Sequence, residues 1–183
     1  MNALEINLEF TPNPDALKYT LNRRVLITGS EYFKDLEEAK DHSPLAVKLF
    51  SIPGIQTVMI GTNFISVIQD NSQNLRQLNQ KLMDAIREHI ESGQEICTPR
   101  SYDATGLDDM SLAIQNILDA EVRPMVAQDG GDITFVRYDD GIVYVSMQGA
   151  CQGCPSSSMT LKAGILTRLQ QEFPEIIDVE PIG

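Results

Sequence analysis

The chain has 183 residues, of which 42% are hydrophobic and 22% charged, and a formal net charge of −12. The length suits one ordinary domain or two small ones, and the composition is that of a globular protein. An acidic surface repels phosphate backbones, which argues against nucleic acid as a partner, and no apolar run approaches the roughly 20 residues of a membrane span.

The charge is uneven: from Asp108 onward there are 12 acids against 4 bases, and before it 14 against 10. The second part is the more acidic, which suits a partner with a basic docking face and equally suits ordinary solubilising charge. The opening residues Met1-Asn-Ala-Leu-Glu-Ile-Asn-Leu-Glu-Phe hold no basic region, apolar block or cleavage site, so the expectation is a cytosolic location. Three cysteines, an odd and small number, argue against a disulfide framework.

Ile6, Leu8 and Phe10 alternate with Glu5, Asn7 and Glu9, the pattern of a half-buried strand. Thr11-Pro-Asn-Pro-Asp15 is a turn, and Leu17, Tyr19 and Leu21 mark a second strand. Residues 31–41 read as a short helix or loop. Ser43-Pro44 opens a helix, with Ser as cap and Pro in the first turn. Two apolar runs, 55–60 and 64–68, flank Gly61-Thr62-Asn63 as a hairpin. Leu75, Leu78, Leu82, Ala85, Ile86 and Ile90 recur at helical spacing, and Gly93 closes that helix.

Residues 94–107 lack periodicity and hold Pro99, Ser101, Thr105 and Gly106, the composition of a linker. The expected organisation is therefore a first domain at 1–93, a linker at 94–107 and a second domain at 108–183. Asp108-Asp109 suits a helix N-terminus, and Met110, Ala113, Ile114, Ile117 and Leu118 form a stripe reaching Val122. Asp129-Gly-Gly-Asp132 is a turn with solvated acids. Strands at 133–138 and 142–147 flank Asp139-Asp140-Gly141, a strong hairpin signal. Pro155 begins a helix through Met159, Ala163, Leu166, Leu169 and Phe173, and Ile177 and Val179 mark a last strand. The fold class is α+β: two small two-layer α/β-sandwich domains, the C-terminal one helix–strand–strand–helix–strand.

Between the second hairpin and the last helix lies Gln148-Gly-Ala-Cys151-Gln-Gly-Cys154. Two sulfurs three residues apart can ligate one metal centre. The first-turn amides of Ser156, Ser157 and Ser158 lack internal partners, and with the helix dipole they favour thiolates. Gly149 and Gly153 allow backbone to approach a bulky ligand. Two sulfurs are too few for a four-thiolate site, and the simplest completion is a second copy of the chain across a two-fold axis. Three chemistries fit the pair: a redox dithiol, a zinc site and a bridged iron–sulfur cluster. A pair of small buried hydrophobes is the bland alternative.

The run Asp129-Gly-Gly-Asp, the hairpin and Gly149-Ala-Cys-Gln-Gly-Cys-Pro-Ser-Ser resemble the C-terminal domain of NifU, the Nfu domain, from about Asp109 to the end. Thr11-Pro-Asn-Pro and Ser43-Pro-Leu-Ala through the Gly61 hairpin resemble the N-terminal domain of Nfu-type scaffold proteins. The resemblance implies a non-enzymatic scaffold or carrier. It would hold a 4Fe-4S cluster, with 2Fe-2S the alternative, between two subunits on Cys151 and Cys154. Its implied partners are an upstream cluster donor, recipient apo-proteins and a second copy of itself, with a docking or structural role for the N-terminal domain. A dithiol–disulfide oxidoreductase using the same cysteines is the competing function.

The remaining candidates read blandly. Cys97 is a lone linker thiol, and His42 and His89 are surface residues with no ligand set around them. Ser156, Ser157 and Ser158 cap a helix rather than supply a nucleophile. Met110, Met125, Met147 and Met159 fill core, and Tyr138 and Tyr144 are ordinary strand residues.

Overall fold

Leu17, Tyr19 and Leu21 recur every second residue, and in the computed structural model of the chain they line the buried face of strand β2 (Ala16–Leu21). The structure describes residues 3–98, 108–151 and 155–182. It divides the chain into two units, Met1–Ser101 and Tyr102–Gly183.

The first unit is built on a five-stranded antiparallel sheet in the order β1-β2-β5-β4-β3, where β1 is Ile6–Phe10, β3 Ser30–Phe33, β4 Ile55–Gly61 and β5 Phe64–Gln69. The edge strand β3 lies where sequence suggested a helix or loop. Its four residues are too few to display a period, and only pairing with β4 makes them a strand. Phe10, expected to face inward with Ile6 and Leu8, is 81% exposed, because β1 is an edge strand whose far end leaves the core.

Helices α1 (Leu36–Lys40), α2 (Pro44–Phe50) and α3 (Leu75–Glu91) supply Ala39, Leu45, Leu49, Leu78, Leu82 and Ile86 to the core, against Leu17, Tyr19, Val58, Ile60, Ile65 and Val67 of the sheet. The caps are those the residues suggest: Ser43 accepts from the Ala46 amide, and Asn74 from the amides of Arg76 and Gln77. Gly93, at φ 71°, ends α3 in the left-handed conformation that glycine adopts without a Cβ penalty.

The start of the segment that reads as a linker lies against this unit. His89 is buried and not a surface residue. Its Nε2 lies 2.9 Å from the Glu95 carbonyl, which can only accept, so that nitrogen carries the proton. Ser43 Oγ donates to the Ile96 carbonyl at 2.7 Å, and the Thr98 amide donates to the His42 carbonyl at 2.7 Å. Cys97 is thereby carried into the core, 7% exposed, beside residues of the sheet and helices. Sequence showed only a thiol in an aperiodic stretch; burial is decided by these long-range bonds. Cys97→Ser puts a smaller, more polar side chain among the core residues of unit 1 and is expected to destabilise it by about 1 kcal/mol in a urea melt, leaving the chemistry of Cys151 unchanged.

Tyr19 is fully buried, and its hydroxyl has no hydrogen-bond partner among the described residues. Burial also pushes the phenol well above its usual pKa. An unsatisfied buried hydroxyl is a cost, so Tyr19→Phe is expected to stabilise unit 1 by about 1 kcal/mol, seen as a higher denaturant midpoint. A lower midpoint would show the hydroxyl to be satisfied.

The second unit has the order β6-β7-β8, with β6 Gly131–Asp139 antiparallel to β7 Ile142–Gly149 and β8 Asp178–Pro181 parallel to β7. A parallel neighbour needs a crossover, and helix α6 (Pro155–Glu172) supplies it. The hairpin turn is Asp140-Gly141, at φ 46° and 84°, the left-handed pair that matches strand twist. Ile133, Val143, Val145 and Val179 pack against Ile114, Leu118, Val122, Val126, Ile165 and Leu169. Met125 and Met159, expected in this core, are 57% and 78% exposed, because they fall on the outer sides of their helices.

The helical stripe from Asp108 continues past Val122. Helix α4 (Asp109–Ile117) passes into a π-helical turn, Leu118–Val122, and then α5 (Arg123–Gln128). Pro124 has no amide hydrogen and its ring would meet the Ala120 carbonyl four residues back. The turn widens instead, and the Arg123 amide bonds the Leu118 carbonyl five residues earlier.

Candidate metal centre

Cys151 stands just beyond the end of β7, four residues before α6 begins at Pro155. It is buried, 6% exposed, and contributes to the core of the second unit. Cys154, with Gln152 and Gly153, lies outside the described residues, as do the side chains of Ser156, Ser157 and Ser158. The structure therefore places one of the two expected sulfur ligands.

The floor under Cys151 is the Asp129-Gly-Gly-Asp run. Gly130 takes φ 77° where α5 ends, and its amide bonds the Ala127 carbonyl. Its own carbonyl accepts from the Ala150 amide at 3.1 Å, tying the helix end to the cysteine loop. Gly131 is paired with Gly149, which itself sits at φ 62°. A Cβ built on Gly131 would collide with the Cys151 sulfur and would stand 3.0 Å from the Cys151 amide nitrogen. Glycine is required at 131 because the thiol occupies the space a side chain would fill.

The two aspartates of this run differ. Asp129 is exposed, as expected of a turn acid. Asp132 is 3% exposed and not solvated: Arg123 Nε donates to its Oδ1 at 2.8 Å and Nη2 to its Oδ2 at 2.6 Å. Its Oδ1 also accepts from the Ile133 amide at 2.8 Å. Arg123 bonds Asp119 as well, at 3.1 Å. The Asp132 carboxylate first, and Asp119 next, hold the guanidinium protonated beyond its already high range. Sequence reasoning passed over Arg123. No periodicity links it to Asp132; the local signals are its place beside Pro124, which forces the π turn, and the i,i+4 spacing from Asp119.

Among the described residues no three His, Cys, Asp or Glu side chains gather in a way that could hold a metal ion, and no helix is long and apolar enough to cross a membrane. What is built is a thiol at a strand–helix junction, lying against Gly131, the residue before an aspartate buried in an ion pair with Arg123. That defines an α+β protein of two units whose second unit presents a cysteine loop.

The family comparisons agree with this architecture. Residues 6–93 match the model described as the scaffold protein Nfu/NifU N-terminal domain, and residues 114–180 match the NifU-like domain. The chain is 37% identical over 182 residues to the protein of Drosophila persimilis named NFU1 iron-sulfur cluster scaffold homolog, mitochondrial, covering 97% of this chain and 64% of that one. It is 37% identical over 182 residues to the human protein of the same name, covering 97% and 71%. A solution structure of a NifU-like protein from Saccharomyces cerevisiae aligns at TM-score 0.48 and 24% identity, over 55% of this chain and 92% of that one. The chain belongs to the Nfu family of iron–sulfur cluster scaffold proteins. It spans 64% of the length of the Drosophila persimilis relative.

These names overturn the cytosolic location expected from the sequence, since the relatives are named as mitochondrial proteins. That expectation rested on a default and on no residue that an import receptor or a fold would read.

Proposed function

We propose that this protein holds a 4Fe-4S cluster on Cys151 and Cys154, shared with the same two cysteines of a second copy, and hands it to recipient apo-proteins without itself being a catalyst. The observation that carries the reading is the position of Cys151: a thiol at a strand–helix junction, in a chain whose two units match both Nfu-family domains in order. Cysteine thiolates are the ordinary ligands of such clusters, so the donor chemistry fits the cargo. The glycine floor supports it too, because it seats the Cys151 sulfur against backbone just past the end of β7.

Two thiolates per chain supply half of a four-thiolate set, and the two-fold partner supplies the rest. Release is then an exchange of two sulfurs per subunit for those of a recipient. A mitochondrial place of work, as in the named relatives, belongs to this reading.

The test is anaerobic reconstitution with iron and sulfide, followed by metal analysis and native mass. About four irons and four sulfides per two chains, in a dimer, is the expected result. A loaded monomer with every ligand internal would remove the two-chain scheme. Insulin reduction by the colourless protein would point to the dithiol oxidoreductase instead.

A further inference from the structure

Asp132 is an acid buried within one residue of the glycine on which the Cys151 sulfur rests. A cluster held by four thiolates is itself anionic, so a bare carboxylate at this place would oppose it. Burial of such a group is tolerated only with a partner that meets its charge and its lone pairs. Arg123 does both, through two parallel bonds at 2.8 and 2.6 Å that only a planar guanidinium can make. Asp132 Oδ1 then bonds the Ile133 amide, which clamps the first residues of β6. Gly131 is the residue immediately before, paired to Gly149 at the base of the cysteine loop. The mechanical path runs from the π turn through Arg123, Asp132 and Gly131 to the Cys151 sulfur.

The geometry points to Arg123 as a positioning residue for the cluster ligand: its fork on Asp132 fixes the Gly131 backbone that seats the Cys151 sulfur, and its charge cancels the buried carboxylate beneath an anionic cargo. This rests on the reading of Cys151 as a cluster ligand. Arg123 acts on the seat of the thiol through Asp132, the residue its fork holds. Lysine cannot replace it, since a point charge lacks the second parallel bond.

The experiment uses the full-length apo-protein. Iodoacetamide labelling of Cys151 is followed by peptide mass spectrometry, with Cys97, buried in the other unit, as internal reference. Arg123→Gln is expected to speed Cys151 labelling roughly tenfold or more relative to Cys97. Arg123→Lys should fall between the two. The double variant Arg123→Gln with Asp132→Asn removes the uncompensated charge and returns the thermal midpoint of unit 2 toward its original value. If the fork seats the sulfur, labelling stays fast in that double variant, and reconstitution yields a several-fold lower iron content. Labelling that slows in step with recovered stability assigns the pair a merely structural role and overturns the proposal. Unchanged labelling in Arg123→Gln overturns it as well. Because the readout is a thiol rate in apo-protein, a failure here is separable from a failure of the carrier reading, which iron uptake by the unsubstituted chain decides.

Discussion

Replacing Cys151 or Cys154 by serine is expected to reduce bound iron and sulfide to background. A hydroxyl of the same size is a far weaker donor to iron than a thiolate, because it does not ionise near neutral pH and lacks a soft, polarisable lone pair. In the two-chain site proposed above, each substitution would delete two of four ligands, one in each copy, so the loss would exceed that of a single contact. The fold should survive. Cys151 is one small side chain in a core that also holds Ile114, Leu118, Ile133, Val143, Leu169 and Val179. A serine hydroxyl there costs about 1–3 kcal/mol. Metal analysis with the far-UV circular dichroism of the same samples decides the matter. Full iron content in either variant would remove that cysteine from the ligand set.

The second large effect is expected at Gly131. Gly131→Ala adds one carbon where the Cys151 sulfur already lies, with the Cys151 amide nitrogen 3.0 Å and its Cβ 3.1 Å away. Rotating the thiol away would relieve the sulfur clash only by unseating it, and the Cys151 backbone would still have to give by a few tenths of an ångström. Either β6 shifts from its pairing with Gly149 or the cysteine loop is pushed off its floor. Overpacking of this kind costs about 1–3 kcal/mol, and the displaced ligand should lower iron retention at least several-fold. Gly164 provides the contrast. It sits on an open side of α6, with nothing within 4 Å of the place a Cβ would take, so Gly164→Ala is expected to retain full iron. Equal iron content in Gly131→Ala and Gly164→Ala would show that the sulfur does not depend on this contact.

Much of the fold was legible where the local signal is strong. The Asp140-Gly141 turn requires left-handed residues, and its hairpin follows from that chemistry alone. Ser43-Pro44 and the apolar spacing of α3 likewise announced their helices. The edge strand β3 and the continuation through the π turn into α5 were not legible. Each is short, and each exists because of a neighbour: β4 in the one case, Pro124 and the packing of Val122 and Val126 in the other. His89 and Asp132 show the same limit among polar residues. Both are usually exposed types, and each is buried here with a hydrogen-bond partner several residues away, Glu95 for His89 and Arg123 for Asp132.

The amino-acid sequence by itself determined the donor atoms on offer and the family: two sulfurs three residues apart, the glycines around them, and the order of two α+β units, with a redox dithiol, a zinc site and a bridged cluster all compatible with the pair. Ligand type and local backbone freedom are properties of residues and their spacing, so they can be read without coordinates. Only the tertiary structure decided that Cys97 sits in a core, that the Cys151 sulfur lies against Gly131, and that Arg123 forks onto the buried Asp132 beside it. These are contacts between segments whose apposition depends on the packing of whole helices and strands, and no local pattern encodes them.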